Sequence, residues 1–327
     1  MLNAAIIGVG RWGQLLVDSV QGKSDLIRFT AGVTRTRAKA EDYCARTGID
    51  LRDKLEDVLS DPDIDAVVLA TPHTEHEHEI IAAAKAGKHV FTEKPFTLDR
   101  PSAEAAVAAC AAAGVTVALG HNRRFMANVI ELKRRIEAGE LGTLMHVESN
   151  FSSDLGFAAG KWRDSRAESP AGGMTSLGIH ALDTMINLCG PITEVDARSL
   201  RRAIEIDIDD TTVMLFSFAN GMTGYLGCMA ATARIWSLRV IGSKGWAEIP
   251  DNETLRICGM DGVVRDVPFD IKGDPGTLSL AAELEAFAAA ATGGPAYPIT
   301  PAEMINATAA LAAISESATS GQRVAIT

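Results

Sequence analysis

The chain has 327 residues, and 31 Lys+Arg against 42 Asp+Glu give a formal net charge of −11. Hydrophobic residues make up 47% and charged residues 22%, ordinary values for a chain that buries a core, so disorder is not expected. The acid excess without a basic block argues against nucleic acid and anionic membranes as partners, and the length suggests two domains of roughly 150 residues.

The apolar run 4–7 reads as a strand rather than a leader, so a cytoplasmic protein is expected. The five scattered cysteines, with no C-x-x-C, read as buried thiols in a reducing compartment. Gly8-Val9-Gly10-Arg11-Trp12-Gly13 follows, and a helix runs to about residue 20. Further strands are expected at 27–33, 66–70, 90–91 and 115–119, with helices at 38–47, 77–86 and 103–113. Strands alternating with helices, several of them continuously apolar, imply a parallel sheet covered on both faces.

After about residue 123 the pattern changes. A helix at 128–138 leads to a strand at 144–150, a loop at 152–173 and a helix at 174–188. β-like stretches then run to about 269, with Asn220-Gly221 as a hairpin signal, before Ala-rich helices at 280–291 and 302–320. The fold class is α/β: a doubly wound parallel sheet at 1–122, then an α+β domain at 123–327.

The G-x-G-x-x-G run sits between a strand and a helix, the context that a dinucleotide loop requires. Gly8 permits the turn, Gly10 lets backbone approach a pyrophosphate, and Gly13 lets the helix pack on the strand. The helix start adds free N–H groups and a positive dipole end. An enzyme that prefers NAD carries an acid at the end of strand two; here the stretch is Val33-Thr34-Arg35-Thr36-Arg37, with no acid until Glu41. Guanidinium and hydroxyl groups suit a 2′-phosphate, so NADP is favoured and NAD is the alternative. The run from His73 to Glu79 has ligand chemistry but reads as a helix start capped by Thr74, and no metal is expected.

Lys94, in Glu93-Lys94-Pro95, follows a strand at the end where doubly wound folds bind ligands. Ser176, His180 and Asp183 are spaced to share one face of a helix, and a histidine exchanges protons near neutral pH. Trp162 and Arg163, in the loop before that helix, suit stacking and hydrogen bonding to a substrate.

Together these residues resemble the Gfo/Idh/MocA oxidoreductases. The likeness runs from the glycine loop through Thr71-Pro72 with His76, Glu93-Lys94-Pro95 and Asn122-Arg123-Arg124-Phe125, to Trp162-Arg163 and Gly178-x-His180-x-x-Asp183. It implies a Rossmann domain and a large open, mostly antiparallel sheet that forms homodimers or homotetramers. It implies hydride transfer between nicotinamide and a sugar, polyol or related ring, with Lys94 and His180 catalytic. It implies cofactor contacts from Arg11, Trp12, Thr71, Pro72, His76, Glu93, Lys94 and Asn122, and in many members a cis bond before Pro95. Many members carry Asp four residues before the histidine; this chain has Ser176, so Asp183 substitutes, the substrate differs from inositol-like polyols, or the chemistry is weakened. Glycoside cleavage with recycled NAD, or a non-catalytic NADP sensor, are the competing functions.

Overall fold

The structure, a computed structural model, describes residues 1–157, 159–160 and 162–326. The chain begins with β1 (Leu2–Ile7), α1 (Arg11–Val20), β2 (Ile27–Val33), α2 (Glu41–Thr47), β3 (Asp50–Arg52) and α3 (Leu55–Leu59). It continues with β4 (Ala66–Leu69), α4 (His76–Lys85), β5 (His89–Glu93), α5 (Arg100–Ala113) and β6 (Val117–Gly120). These strands form one sheet in the order β3-β2-β1-β4-β5-β6, every neighbouring pair parallel. β4 reads Ala-Val-Val-Leu and is buried along its whole length, which suits a strand with helices over both faces. The strand order reverses between β1 and β4, so the loops after them part at the sheet's carboxyl end, where such folds bind ligands. α5 starts where Asp99 accepts the Ser102 backbone N–H at 2.8 Å, a cap worth about 1 kcal/mol.

β3 and α3 carry no clear sequence signal. β3 is a three-residue edge strand with two charged residues, held by pairing with Ala31, Gly32 and Val33 rather than by an apolar face.

The chain goes on through α6 (Ala127–Glu137), β7 (Leu144–Ser152), a π-helical turn (Met174–Gly178) and α7 (Ile179–Cys189). Then come β8 (Ile192–Leu200), β9 (Thr211–Phe218), β10 (Thr223–Met229), β11 (Ile235–Gly242), β12 (Gly245–Ile249), β13 (Leu255–Gly259) and β14 (Val264–Val267). α8 (Pro275–Ala291), α9 (Pro301–Ser320) and β15 (Val324–Ala325) close it. Nine strands form the second sheet, ordered β14-β13-β12-β11-β7-β10-β9-β8-β15. Its pairs are antiparallel except β7 with β10. Gly221, at φ +85°, closes the β9–β10 hairpin at the expected Asn-Gly, with Asn220 Oδ1 accepting the Met222 N–H at 3.1 Å.

One face of this sheet is apolar: Met214, Phe216 and Phe218 of β9 join Leu182 and Met185 of α7 and Leu311 and Ile314 of α9 in one core. On the other face Glu148, Arg239 and Glu248 lie in register across β7, β11 and β12, with ion pairs of 3.0 and 2.9 Å.

The chain divides into two compact units, Met1–Asn122 with Thr277–Met304, and Arg123–Gly276 with the residues from Ile305 onward. Residues 277–304, which the sequence reading places in the second domain, group with the first unit. Packing explains it: the Phe287 ring lies 5.8 Å from Phe91, and Tyr297 Oη donates to the Leu119 carbonyl at 2.9 Å. Such an aromatic pair adds about 0.5–1.5 kcal/mol beyond the area it buries. Among the described residues, no helix is long and apolar enough to cross a membrane.

Candidate functional site

The glycine loop joins β1 to α1. The Gly8 N–H bonds the Val33 carbonyl at 2.8 Å, and Gly10 occupies the N-cap position with no side chain over the helix end. A Cβ at Gly8 would lie 2.4 Å from the Ala70 carbonyl oxygen, and one at Gly13 would lie 2.1 Å from that of Gly8. A Cβ at Gly10 meets nothing within 4 Å. Gly8 and Gly13 are therefore needed for the fold of the loop, while the space at Gly10 is what a pyrophosphate requires beside bare N–H groups. Trp12 adds a buried Nε1–H with no hydrogen-bond partner among the described residues. This chemistry fits a dinucleotide.

After β2, Arg35 is exposed and makes no ion pair among the described residues. Thr34 is half-buried and Thr36 exposed. Arg37, expected to support the phosphate, is instead held by Asp53 at 2.7 Å, Glu41 at 3.4 Å and the Leu51 carbonyl at 3.0 Å.

The loops after β4 and β5 are tied together. His76 is fully buried; its Nδ1 lies 2.8 Å from the Pro95 carbonyl and its Nε2 3.3 Å from that of Thr71. Both carbonyls only accept, so whichever ring nitrogen carries the hydrogen is the donor. The ring thus spans the backbone of Thr71-Pro72 and of Lys94-Pro95, whose peptide bond is cis. Lys94 is half-buried, and its N–H donates to Glu93 Oε2 at 3.3 Å. Asn122 Nδ2 donates to Ser279 Oγ at 2.8 Å.

Glu79 sits beneath, 7% exposed, accepting from Thr71 Oγ1 at 2.6 Å. Burial is the main cause that pushes its pKa up to about 7; the Thr71 bond pulls down, and the Glu75 charge pushes up. An unfolded glutamate releases its proton near pH 4.3, so between there and about pH 7 the folded state binds more protons and stability falls as pH rises. Glu79→Gln is expected to gain on the native protein through that window, by up to about 3 kcal/mol at pH 8, with no gain at pH 4. Thermal unfolding of both proteins across pH checks this; a difference that does not change with pH would sink it. In the same run Glu75, His78 and Glu79 bring ligand atoms within 4.8 Å of one another, not the set His73, His76 and Glu77 that a regular helix would group. Two of the three residues are exposed, and the carboxyl of Glu79 is engaged by Thr71.

In the second unit the segment carrying Ser176 and His180 departs from the expected helix. Met174–Gly178 is a π turn, where the Ile179 N–H reaches the Met174 carbonyl. The turn that leads into His180 is therefore wider than the regular helix that the spacing implies. Gly178 makes room for it: a Cβ there would lie 2.3 Å from Met174 Sδ and 3.1 Å from Cys228. His180 is half-buried, its ring 6.0 Å from that of Phe151, and Ser176 is 8% exposed.

Asp183, expected at the substrate, is 1% exposed. Its carboxylate takes Arg124 through Nε at 2.9 Å and Nη2 at 2.7 Å, a two-pronged buried pair. Arg124 also reaches Asn187 Oδ1 at 3.4 Å. Trp162 and Arg163 are brought together, the guanidinium 4.0 Å from the ring centre.

Sequence reasoning treats Arg123 as a junction residue, and the structure gives it a larger part. It is 6% exposed, with its guanidinium carbon 4.5 Å from the Phe151 ring centre and 4.0 Å from that of Trp236. Nη1 donates to Asn252 Oδ1 at 3.1 Å. Burial, and then the like charge of Arg234, lower its pKa to about 9, which leaves it charged at neutral pH. The only sequence signal is its place in the Asn122-Arg123-Arg124-Phe125 run.

Comparison with known proteins agrees with this geometry. A model of the oxidoreductase family with the NAD-binding Rossmann fold, Gfo/Idh/MocA, matches residues 2–121, and a model of the Gfo/Idh/MocA C-terminal domain matches 129–248. The uncharacterized oxidoreductase YrbE of Bacillus subtilis is 28% identical over 80% of this chain and 78% of its own. Inositol 2-dehydrogenase of Rhodococcus erythropolis is 39% identical over 43% of this chain and 41% of its own. A crystal structure assigned to an NADPH-dependent oxidoreductase of Desulfitobacterium hafniense has a TM-score of 0.90 at 26% identity, covering 99% of this chain and 97% of that one. With both halves matched in order, and the glycine loop standing open between β1 and α1, the chain belongs to the Gfo/Idh/MocA family of oxidoreductases.

Proposed function

We propose that the protein is an NADP-preferring dehydrogenase acting on a hydroxyl-bearing carbon of a sugar, polyol or related ring. The carrying observation is the glycine loop, closed at Gly8 and Gly13 and open at Gly10, in a chain of an oxidoreductase family. When bound, the nicotinamide takes a hydride from the substrate carbon in oxidation and returns it in reduction. In oxidation His180 takes the hydroxyl proton, and the Lys94 ammonium stabilises the negative charge that develops on that oxygen. In reduction the carbonyl receives its proton back from His180. Trp162 and Arg163 supply stacking and hydrogen bonds to the substrate. Asp183 acts through Arg124 as a positioning residue for α7.

Support for NADP comes from Arg35, exposed and free of ion pairs among the described residues, where an enzyme that prefers NAD carries an acid. Arg35→Ala is expected to raise KM for NADP by about tenfold and to change KM for NAD little, since one charge-assisted bond to a phosphate is worth about 1.5–3 kcal/mol. Support for the substrate class comes from the inositol 2-dehydrogenase relative. A panel of sugars, cyclitols and keto-sugars with NADP and with NAD tests the whole reading. Equal or better rates with NAD would overturn the cofactor choice, and no reduction of either by any compound would overturn the activity. We place the protein in a reducing cytoplasm, consistent with five buried, free cysteines, and as a homodimer or homotetramer through the nine-stranded sheet, whose polar face exposes Leu215.

A further inference from the structure

We propose that the substrate of this site carries an anionic group, a carboxylate or a phosphate, which Arg123 and Arg234 bind beside Trp236. The proposal rests on the dehydrogenase reading for the word substrate; the anion site itself does not.

Arg123 is a buried cation without a carboxylate. Among the described residues its polar contacts are an amide oxygen of Asn252 and the sulfur of Met126, and its charge otherwise rests on two aromatic faces. Burying a charge is costly unless an opposite charge compensates it, and Arg124 next door shows what compensation looks like. Arg234 brings a second positive charge near enough to depress the Arg123 pKa. It is exposed and makes no ion pair among the described residues. A buried cation on one side of Trp236 and an exposed one beside the same residue in the cavity lining, neither ion-paired among the described residues, are an arrangement that a bound oxyanion relieves.

There is room for one. Arg234, Trp236, Pro250, Asp251, Asn252 and Glu253 line a cavity of about 500 Å³. Asn252 and Trp236 are the same residues that hold Arg123. Trp236 of that lining is 6% exposed, and its Nε1–H is buried with no acceptor among the described residues. Two carboxylates also belong to the lining. That of Asp251 is spent on its own turn, accepting from the Glu253 and Thr254 N–H groups and Thr254 Oγ1. Glu253 is exposed, where water and salt screen it more than they screen buried Arg123.

The Phe151 ring links the tryptophan of that lining to His180. The Phe151 ring meets Arg123 on one side, His180 at 6.0 Å and Trp236 at 5.0 Å. An anion on the two arginines therefore anchors one end of a molecule whose other end reaches His180.

Matched compounds test it: D-glucose, D-glucuronate and D-glucose 6-phosphate, assayed for turnover and titrated by calorimetry against the NADP-loaded protein. Expected is a kcat/KM at least about tenfold higher for one acid than for glucose, and a fall in that ratio of about tenfold or more in Arg234→Ala and in Arg123→Lys. The ratio is the readout, because general damage to the fold lowers both rates together. The two acids distinguish carboxylate from phosphate. A wild-type ratio near one, or a ratio that neither variant changes, would overturn the proposal. If no compound is turned over, the dehydrogenase reading falls and calorimetry decides the anion site: heat from an acid that is lost in Arg234→Ala sustains it, and no heat from either acid overturns it.

Discussion

His180→Ala is expected to lower kcat by about 10²- to 10⁴-fold, the range for loss of a positioned general acid–base group. Binding of NADPH should survive, because the dinucleotide loop lies at the start of α1, in the other unit of the chain. Steady-state kinetics and a fluorescence titration of NADPH separate the two effects. The reason to expect so large a loss is local. The residue four places earlier, where many family members carry an acid, is Ser176, which has no charge to share the task. Unchanged turnover in the variant would remove His180 from the mechanism.

Asp183→Ala is expected to destabilise the protein by about 3–5 kcal/mol, the cost of taking the carboxylate from a buried ion pair. The pair is deeply buried, with side chains 3% and 1% exposed. Without Asp183 the Arg124 guanidinium keeps its charge in a place water does not reach. Urea unfolding measures the loss. The double variant Arg124→Met/Asp183→Leu is expected to recover much of it, because apolar replacement of both partners removes the stranded charge. A loss under about 1 kcal/mol in Asp183→Ala would show that the pair contributes little. The prediction also tests the reassignment of Asp183. A substrate contact would chiefly raise KM, whereas a residue that positions α7 lowers stability and kcat together.

Local pattern made the first 120 residues readable. Apolar runs of four to seven residues alternating with helical stretches have few ways to bury themselves, and a parallel sheet under helices is the one that fits. The glycine loop was readable for the same reason. Its requirement is steric: a Cβ at Gly13 would run into the loop's own Gly8 carbonyl oxygen, and one at Gly8 into that of Ala70 after β4. The hairpin at Asn220-Gly221 needs φ > 0 at its glycine, and the sequence marks that directly.

Elements held by partners rather than by their own composition were less readable. β3 is too short and too polar to signal itself; it exists because β2 offers an edge. The π turn at Met174–Gly178 looks like helix in sequence, since an extra residue per turn leaves no mark on residue type.

By itself the sequence determined the nucleotide fold, the site of the dinucleotide loop, the basic stretch after β2 and the candidacy of Lys94 and His180, because each depends on residues within one or two elements. Only the tertiary structure decided that 277–304 return to the first unit, that Asp183 serves Arg124 from 59 residues away, and that Arg123 lies between Phe151 and Trp236 beside a cavity. These rest on which distant groups meet once the sheets close. Residue spacing along the chain reports a residue's own face, while the charge or ring it will face is set by packing.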